Sequence, residues 1–315
     1  MSTSEKVNPD APIYKFASKD GKFHREASQF RNFISRQPDS QFPPEKGRYH
    51  LYVNYLCPWA HRALLVRALK GLEDYISVTI LHHTLSEKGW FFSNPTDTPG
   101  TTPDTVNGAK YLSEIYFKAN PDYEGRYTIP VLWDKKTKTI VNNESSEIVR
   151  FLNSEFNDML PDGGGIDLYP EDLRAEIDEL NDWIYNTVNN GVYKSGFATT
   201  QEAYEENCTA LFQSLDRIEA ILAKKVFLTG DRFTEADLRL FDPVYHGHFK
   251  CNIKSIEKDY PNILRWARQV YQMPKGNMVN LEHAKRGYYG IKRLNPTGVV
   301  PLGNGPDLSK PVIKQ

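Results

Sequence analysis

The sequence offers almost no net charge to a partner. Its 315 residues carry 39 Lys and Arg against 40 Asp and Glu, a formal charge of -1. No field of one sign draws a polyanion, so nucleic acid is not an expected partner. No apolar run approaches the roughly 20 residues that span a bilayer, so no membrane segment is expected. The opening MSTSEKVNPDAP lacks a basic stretch followed by an apolar one, so a secretory signal is not expected either. Cysteine is scarce. The three, Cys57, Cys208 and Cys251, are odd in number and widely spaced. They fit neither a disulfide framework nor a zinc site, and point to a reducing, cytoplasmic setting without a metal. No repeat of solenoid length is present.

What the chain has is length for about two domains of roughly 100–200 residues, each able to bury a core. Residues 1–46 are mixed and polar, and read as an extended arm with little regular structure. RYHLYVN (48–54) reads as a strand with Leu51 and Val53 on one face. Pro58 suits a first helical position, where its missing N–H costs nothing. A helix from Pro58 to about Lys70 follows, with Leu65, Val66, Leu69 and Leu72 as its stripe and Gly71 to close it. YISVTILHH (75–83) reads as a second strand. After a loop-rich stretch and the partly helical AKYLSEIYFKA, Tyr127–Trp133 and Thr139–Val141 make a hairpin. Asn142–Ser146 then opens a helix.

Gly163-Gly164-Gly165 marks a linker, after which the period is helical only. Leu173, Ile177, Leu180, Ile184 and Val188 predict one amphipathic helix. Tyr204, Leu211, Leu215, Ile218 and Leu222 predict a second. Thr234 and Asp237 resemble a capping box that opens a third, with Phe233 stapled onto Leu238. A fourth runs through Ile263, Trp266, Val270 and Tyr271. The expected organisation is an arm over 1–46, an α/β unit over 47–160, an all-helical unit over 168–292 and a C-terminal extension over 293–315.

Cys57 stands at the strand-to-helix junction. Helix N-termini leave backbone N–H groups unpaired and carry partial positive charge. A thiolate is stabilised there, so the thiol is expected to ionise well below its ordinary value of about 8.5. His61 and Arg62 lie one turn on and add to the effect. The alternative is a buried, inert cysteine, the reading given to Cys208 and Cys251. Ala60 occupies the place of a second CxxC cysteine, so an external thiol must finish any turnover. Pro130 precedes a strand. An ordinary trans bond is the simpler reading, whereas a cis bond would turn the Val131 backbone toward the cysteine. Glu144 and Ser145 at a helix start are either a plain N-cap or a site for an α-amino-acid group.

The layout resembles a glutathione transferase, a thioredoxin-like domain followed by an all-helical domain. TEAD (234–237) and YPNILRW (260–266) are similar to signatures of the helical half. NYLCPWAHRALLVRALKGLED, LSEKGWFFS, KANPDYEGRYTIPVLWD, VNNESSEI, NNGVYKSGFA, FDPVYHGHFKCN and RGYYGIKRLNPTG, in that order, resemble one branch, the glutathionyl-hydroquinone reductases or Xi class. The resemblance covers about 45–300 and implies roles by position. Cys57 would form a mixed disulfide with glutathione. Trp90 would pack on the tripeptide, Arg126 would bind its glycine end, Val131 its backbone, and Glu144 and Ser145 its γ-glutamyl end. Tyr193, Tyr245 and Tyr288 would line the aromatic-substrate side. On residue type alone, these tyrosines and Trp90 are core aromatics. RGYYG stands where other members carry a histidine before the tyrosines, which leaves Tyr288 and Tyr289 as alternatives. A homodimer is also implied.

The expected cycle is attack of Cys57 on the sulfur of a glutathionyl-hydroquinone, release of hydroquinone, then attack by a second glutathione. A tyrosine hydroxyl would stabilise charge or deliver a proton, worth roughly 10²–10⁴-fold. Two other readings compete: an Omega-like thiol transferase or dehydroascorbate reductase, and a non-catalytic binding module on the transferase scaffold.

Overall fold

The computed structural model describes residues 22–23, 25–246, 253–273, 279–291, 295–303 and 305–312, apart from the side chains of Asp242, Pro243, Tyr245 and His246. Four strands form one sheet in the order β2-β1-β3-β4. β1 (Tyr49–Val53) runs parallel to β2 (Ile76–Ile80) and antiparallel to β3 (Val131–Asp134), which pairs antiparallel with β4 (Thr139–Asn142). All five residues of β1 are buried, as a central strand covered on both faces requires.

Between β1 and β2 lies α1 (Pro58–Leu69), with Pro58 at its first position as the sequence predicts. Gly71 closes it with φ +69°. Its N–H bonds the Ala68 carbonyl and that of Leu72 the Arg67 carbonyl, a Schellman closure. α2 (Leu112–Ala119) precedes β3, and α3 (Ser145–Ser154) follows β4 and packs beside α1.

The second half is helical: α4 (Arg174–Ile184), α5 (Gly191–Gly196), α6 (Gln201–Leu222), α7 (Glu235–His246), α8 (Ile256–Asp259), α9 (Pro261–Tyr271) and α10 (Leu281–Gly290). The single helix expected over Leu173–Val188 is interrupted. At Tyr185–Asn189 the coil widens into a π turn, closed by the Asn190 N–H on the Tyr185 carbonyl. Asn186 and Thr187 bond back to the Asp182 and Trp183 carbonyls at 2.9 and 2.7 Å, which favours the local opening.

The start of α7 agrees with the expected cap. Asp237 accepts from the Thr234 N–H at 3.1 Å, from the Leu228 N–H at 2.9 Å and from the Trp266 indole at 2.9 Å. Phe233 packs edge-on against Phe227. Buried Glu235 accepts from Arg150 of α3 at 2.9 Å, tying the two halves together across their shared core. No helix among the described residues is long and apolar enough to cross a membrane.

The described part of the N-terminal arm, residues 22–23 and 25–46, is more ordered than its composition suggests. Arg31 bridges Asn142 antiparallel, and the Asn32 N–H bonds the Val141 carbonyl at 3.0 Å. The arm therefore covers the open edge of β4, where unpaired backbone groups otherwise invite a foreign strand. In the C-terminal extension, Leu308 is buried and its carbonyl accepts from Gln272, the residue that follows α9.

His50 of β1 makes stability pH-dependent. Its ring nitrogens lie 2.7 Å from Ser77 Oγ and 2.9 Å from Thr79 Oγ1. Burial pushes the imidazole down to about 4, against the pull of Asp104. An unfolded histidine binds its proton near 6.5, so stability is intact above that pH and drains away as pH falls toward 4. The loss from His50 alone should be on the order of 2 kcal/mol by pH 5. Urea midpoints at pH 7.5 and pH 5 measure it. The drop should shrink in His50→Gln, and equal midpoints in the native protein would contradict it.

Candidate active site

Cys57 is the N-cap of α1. Its N–H donates to Asn54 Oδ1 at 2.9 Å, and its carbonyl accepts from the Ala60 and His61 N–H groups, which anchors the first turn. The side chain does not cap the helix and is half-buried. Its Sγ lies 3.7 Å from the Ile129 carbonyl. The Ile129–Pro130 bond is cis, not the trans bond that residue type alone favours. Val131 follows as the first residue of β3, opposite Tyr52.

Glu144 is the N-cap of α3, accepting from the Ser146 N–H at 3.1 Å and from the Ser28 hydroxyl at 3.2 Å. Burial works against its charge, but the Arg62 guanidinium and the serine hydrogen bonds outweigh it and hold the carboxyl below its ordinary range. Arg62 is buried, donates to Ser145 Oγ at 2.6 Å and sits 3.9 Å from Glu144. It thus ties α1 to the start of α3. A fixed carboxylate beside a helix N-terminus presents opposite charges to the two ends of an amino acid.

The helical half supplies phenols. Tyr193 of α5 and Tyr288 of α10 share a hydrogen bond of 2.9 Å between their hydroxyls. Burial raises Tyr193 well above the ordinary phenol value, and the Cys57 charge adds to the rise. Burial, Tyr193 and Cys57 do the same to Tyr288. Both phenols therefore hold their protons at neutral pH. Of Tyr288 and Tyr289, Tyr288 is the one that bonds Tyr193. Trp59, at the second position of α1, stacks on Tyr193 at 6.1 Å and meets Tyr185 edge-on.

The other expected residues are more loosely tied to this group. Trp90 is half-buried against the core, its carbonyl accepting from the Leu112 N–H. Arg126 is exposed, with Nε 3.9 Å from Glu26 of the arm. It lines a cavity of about 80 Å³ with Phe23, Arg25, Ser28, Thr128 and Asn143. The Tyr245 side chain lies outside the described residues, as does Cys251. Cys208 is buried in α6, beside Tyr204. No group of three His, Cys, Asp or Glu among the described residues is placed to hold a metal.

Arg25, Ser28, Trp59 and Asn190 were not singled out as candidates. Trp59 had a signal, an aromatic two residues after the cysteine on the same helix. The arm residues had none, because their partners lie more than a hundred positions away.

The family model "Glutathione S-transferase, N-terminal domain" matches residues 56–155, and "Glutathione S-transferase, C-terminal domain" matches 201–269. The chain is 50% identical over 298 residues to the glutathionyl-hydroquinone reductase PcpF of Sphingobium chlorophenolicum, covering 92% of each protein. It is 48% identical to the glutathione S-transferase omega-like 2 of Schizosaccharomyces pombe, covering 94% of this chain and 97% of that one. The crystal structure of the glutathione-S-transferase Xi from Phanerochaete chrysosporium superposes with a TM-score of 0.88 at 51% identity, over 91% of this chain and 94% of that one. The chain belongs to the Xi-class glutathione transferases. The fold of this Xi-class chain is the thioredoxin-like domain followed by an all-helical domain that its sequence predicts. In the Xi-class frame, Cys57 marks the seam between the two halves, with α1 on one side and the phenol pair of α5 and α10 on the other.

Proposed function

We propose that the enzyme reduces glutathionyl-hydroquinones to hydroquinones at the expense of glutathione. The observation that carries this reading is the hydrogen-bonded pair of phenols, Tyr193 and Tyr288, packed through Tyr193 on Trp59 of the helix that Cys57 caps. Glutathione would lie along Val131, with its γ-glutamyl end at Glu144 and Ser145, its glycine end toward Arg126 and its face on Trp90. Tyr245 is proposed as a third phenol at the aromatic side.

In the first step the Cys57 thiolate attacks the glutathionyl sulfur. The substrate reacts as its keto tautomer, in which a ring hydroxyl proton has moved to the carbon that bears sulfur. The sulfur–carbon bond breaks and its electron pair passes through the ring onto the carbonyl oxygen. A phenol of the tyrosine pair hydrogen-bonds that oxygen, and a proton taken up from solvent completes the free hydroquinone. In the second step a glutathione thiolate attacks the mixed disulfide, releasing glutathione disulfide and restoring the Cys57 thiolate. Overall, one glutathionyl-hydroquinone and one glutathione give one hydroquinone and one glutathione disulfide. No second cysteine stands in the motif, so glutathione itself must resolve the intermediate.

Intact mass spectrometry after mixing enzyme with glutathionyl-hydroquinone and no free glutathione should show one added glutathione, mapped to Cys57. Hydroquinone should appear in equal amount. An unmodified Cys57 alongside hydroquinone release would rule the cycle out. The same reading places the enzyme in the cytoplasm as a homodimer, with 47–160 as the glutathione-binding unit and 168–292 as the aromatic-substrate unit. Light scattering on the purified chain tests the dimer.

A further inference from the structure

The arm does more than cover an edge strand. Before reaching β4 it crosses the seam between the two halves, over the group that holds Cys57. Lys22 pairs with Glu206 of α6, and Phe23 stacks on Tyr193 with ring centres 5.8 Å apart. Three residues further on, Glu26 faces Arg126, and Ser28 donates to Glu144. Between these anchors lies Arg25.

Its guanidinium carbon sits 4.2 Å from the centre of the Trp59 ring and 5.4 Å from that of Tyr193. Nε donates to Asn190 Oδ1 at 2.9 Å. Asn190 is buried, only 6% exposed, and closes the π turn that precedes α5. An arginine on a polar arm is ordinarily free to wander in solvent. This one is held at four points, by a buried amide and the rings of Phe23, Trp59 and Tyr193. Cation–π contacts and a fixed acceptor together restrict a side chain that otherwise has many rotamers.

We infer that Arg25 is a positioning residue for the proposed reaction, a fixed cation that stabilises the charge arriving on the hydroquinone oxygen through the Tyr193–Tyr288 pair. This rests on the function proposed above. The chemistry requires such a group. Negative charge starts on Cys57 Sγ and, once the sulfur–carbon bond breaks, resides on an oxygen of the departing ring. Burial and the starting sulfur charge both oppose a negative charge among the phenols. Arg25 works in the other direction on both, favouring the charged form of Tyr193 and of Tyr288. A preorganised cation at the place where charge develops acts on the transition state rather than on binding. Arg25 is exposed, so solvent screens it, and its contribution should sit well below the 10²–10³-fold of a buried donor, at about 10-fold.

The test compares Arg25→Gln and Arg25→Lys with the native enzyme. One substrate set is a series of glutathionyl-hydroquinones whose ring substituents vary the acidity of the leaving hydroquinone. The other is a glutathione mixed disulfide with a small alkyl thiol, whose reduction uses Cys57 but puts no charge on a ring oxygen. Arg25→Gln should lower kcat on the hydroquinone series by about 10-fold with KM little changed. The loss should be greatest for the least acidic leaving groups, so the dependence of rate on leaving-group acidity steepens. Mixed-disulfide reduction should stay within about twofold of native, and Arg25→Lys should recover most of the rate. Equal losses on both substrate sets, or an unchanged leaving-group dependence, would overturn the role of Arg25 while leaving the proposed function standing. A native enzyme inactive on the whole series but active on the mixed disulfide would overturn the function itself, and this role with it.

Discussion

Replacing Cys57 with serine should lower kcat for glutathionyl-hydroquinone reduction by about 10³-fold or more. A serine hydroxyl is not ionised at neutral pH and is a poor nucleophile toward sulfur. It cannot form the exchangeable sulfur–sulfur bond on which the second step depends. The loss should not come from unfolding. Cys57 is half-buried, and its backbone is anchored by its N–H to Asn54 and by its carbonyl, which accepts from the Ala60 and His61 N–H groups. Those survive the substitution, so melting should move by no more than a surface change does, about 0.5 kcal/mol. Glutathione affinity measured by calorimetry should also persist, because the residues proposed to hold the tripeptide, Val131, Glu144 and Ser145, are untouched. The variant should reveal the other chemistry of the fold. A hydroxyl at this helix end donates a hydrogen bond to a glutathione thiolate, whereas a protein thiolate repels it and instead takes the glutathionyl group from a glutathionyl-hydroquinone as a mixed disulfide. Weak conjugation of glutathione to an activated chloroarene should therefore become measurable. Cys57→Ser with native reductase rates would remove the nucleophile from the scheme.

The part of the site carried by α1 and α3 was legible because its signals are local. Proline at the first helical position, glycine in the left-handed region at the end and an acidic N-cap are each set by neighbours within one turn. The helical half was legible in its stripes but not in its break. Leu180, Ile184 and Val188 advance by two successive steps of four, more than 3.6-residue turns absorb without rotating the stripe. The π turn at Tyr185–Asn189 takes up that excess and brings Asn190 under Arg25. The steps of four were visible, but side-chain spacing alone does not distinguish a drifting stripe from a widened turn. The arm was legible only as polar. Phe23, Arg25 and Ser28 acquire meaning from Tyr193, Asn190 and Glu144, and no local period encodes partners that far along the chain. α10 was hidden for a different reason. Its buried positions include His283, Ala284 and Gly287, a histidine and two small residues where a hydrophobic stripe would be sought. Tyr288 was found by family resemblance, not by pattern.

The small residues of α10 carry the last expectation. A β-carbon at Gly287 would stand 2.5 Å from Leu56 Cδ2 and 2.8 Å from the His83 carbonyl oxygen. The leucine tip can swing aside, but the carbonyl belongs to the backbone after β2. Gly287→Ala must therefore lift α10 or push the loop, and both sides of the contact adjoin residues proposed to act in the reaction. Leu56 precedes Cys57, and Gly287 precedes Tyr288. Overpacking of this kind costs roughly 1–3 kcal/mol of stability. The larger effect should be catalytic. A shift near 1 Å separates Tyr288 from Tyr193 and from the sulfur, and misplacement of that size lowers kcat/KM by about 10²-fold. Glutathione affinity should hold, since the residues proposed to bind the tripeptide lie on the first domain, away from α10. Gly290→Ala is the control. It sits in the same helix with nothing within 4 Å of its added carbon, so rate and melting should both stay native. If Gly287→Ala kept native kcat/KM while melting lower, the close approach would serve stability alone, and the placement of Tyr288 would have to come from its hydrogen bond to Tyr193.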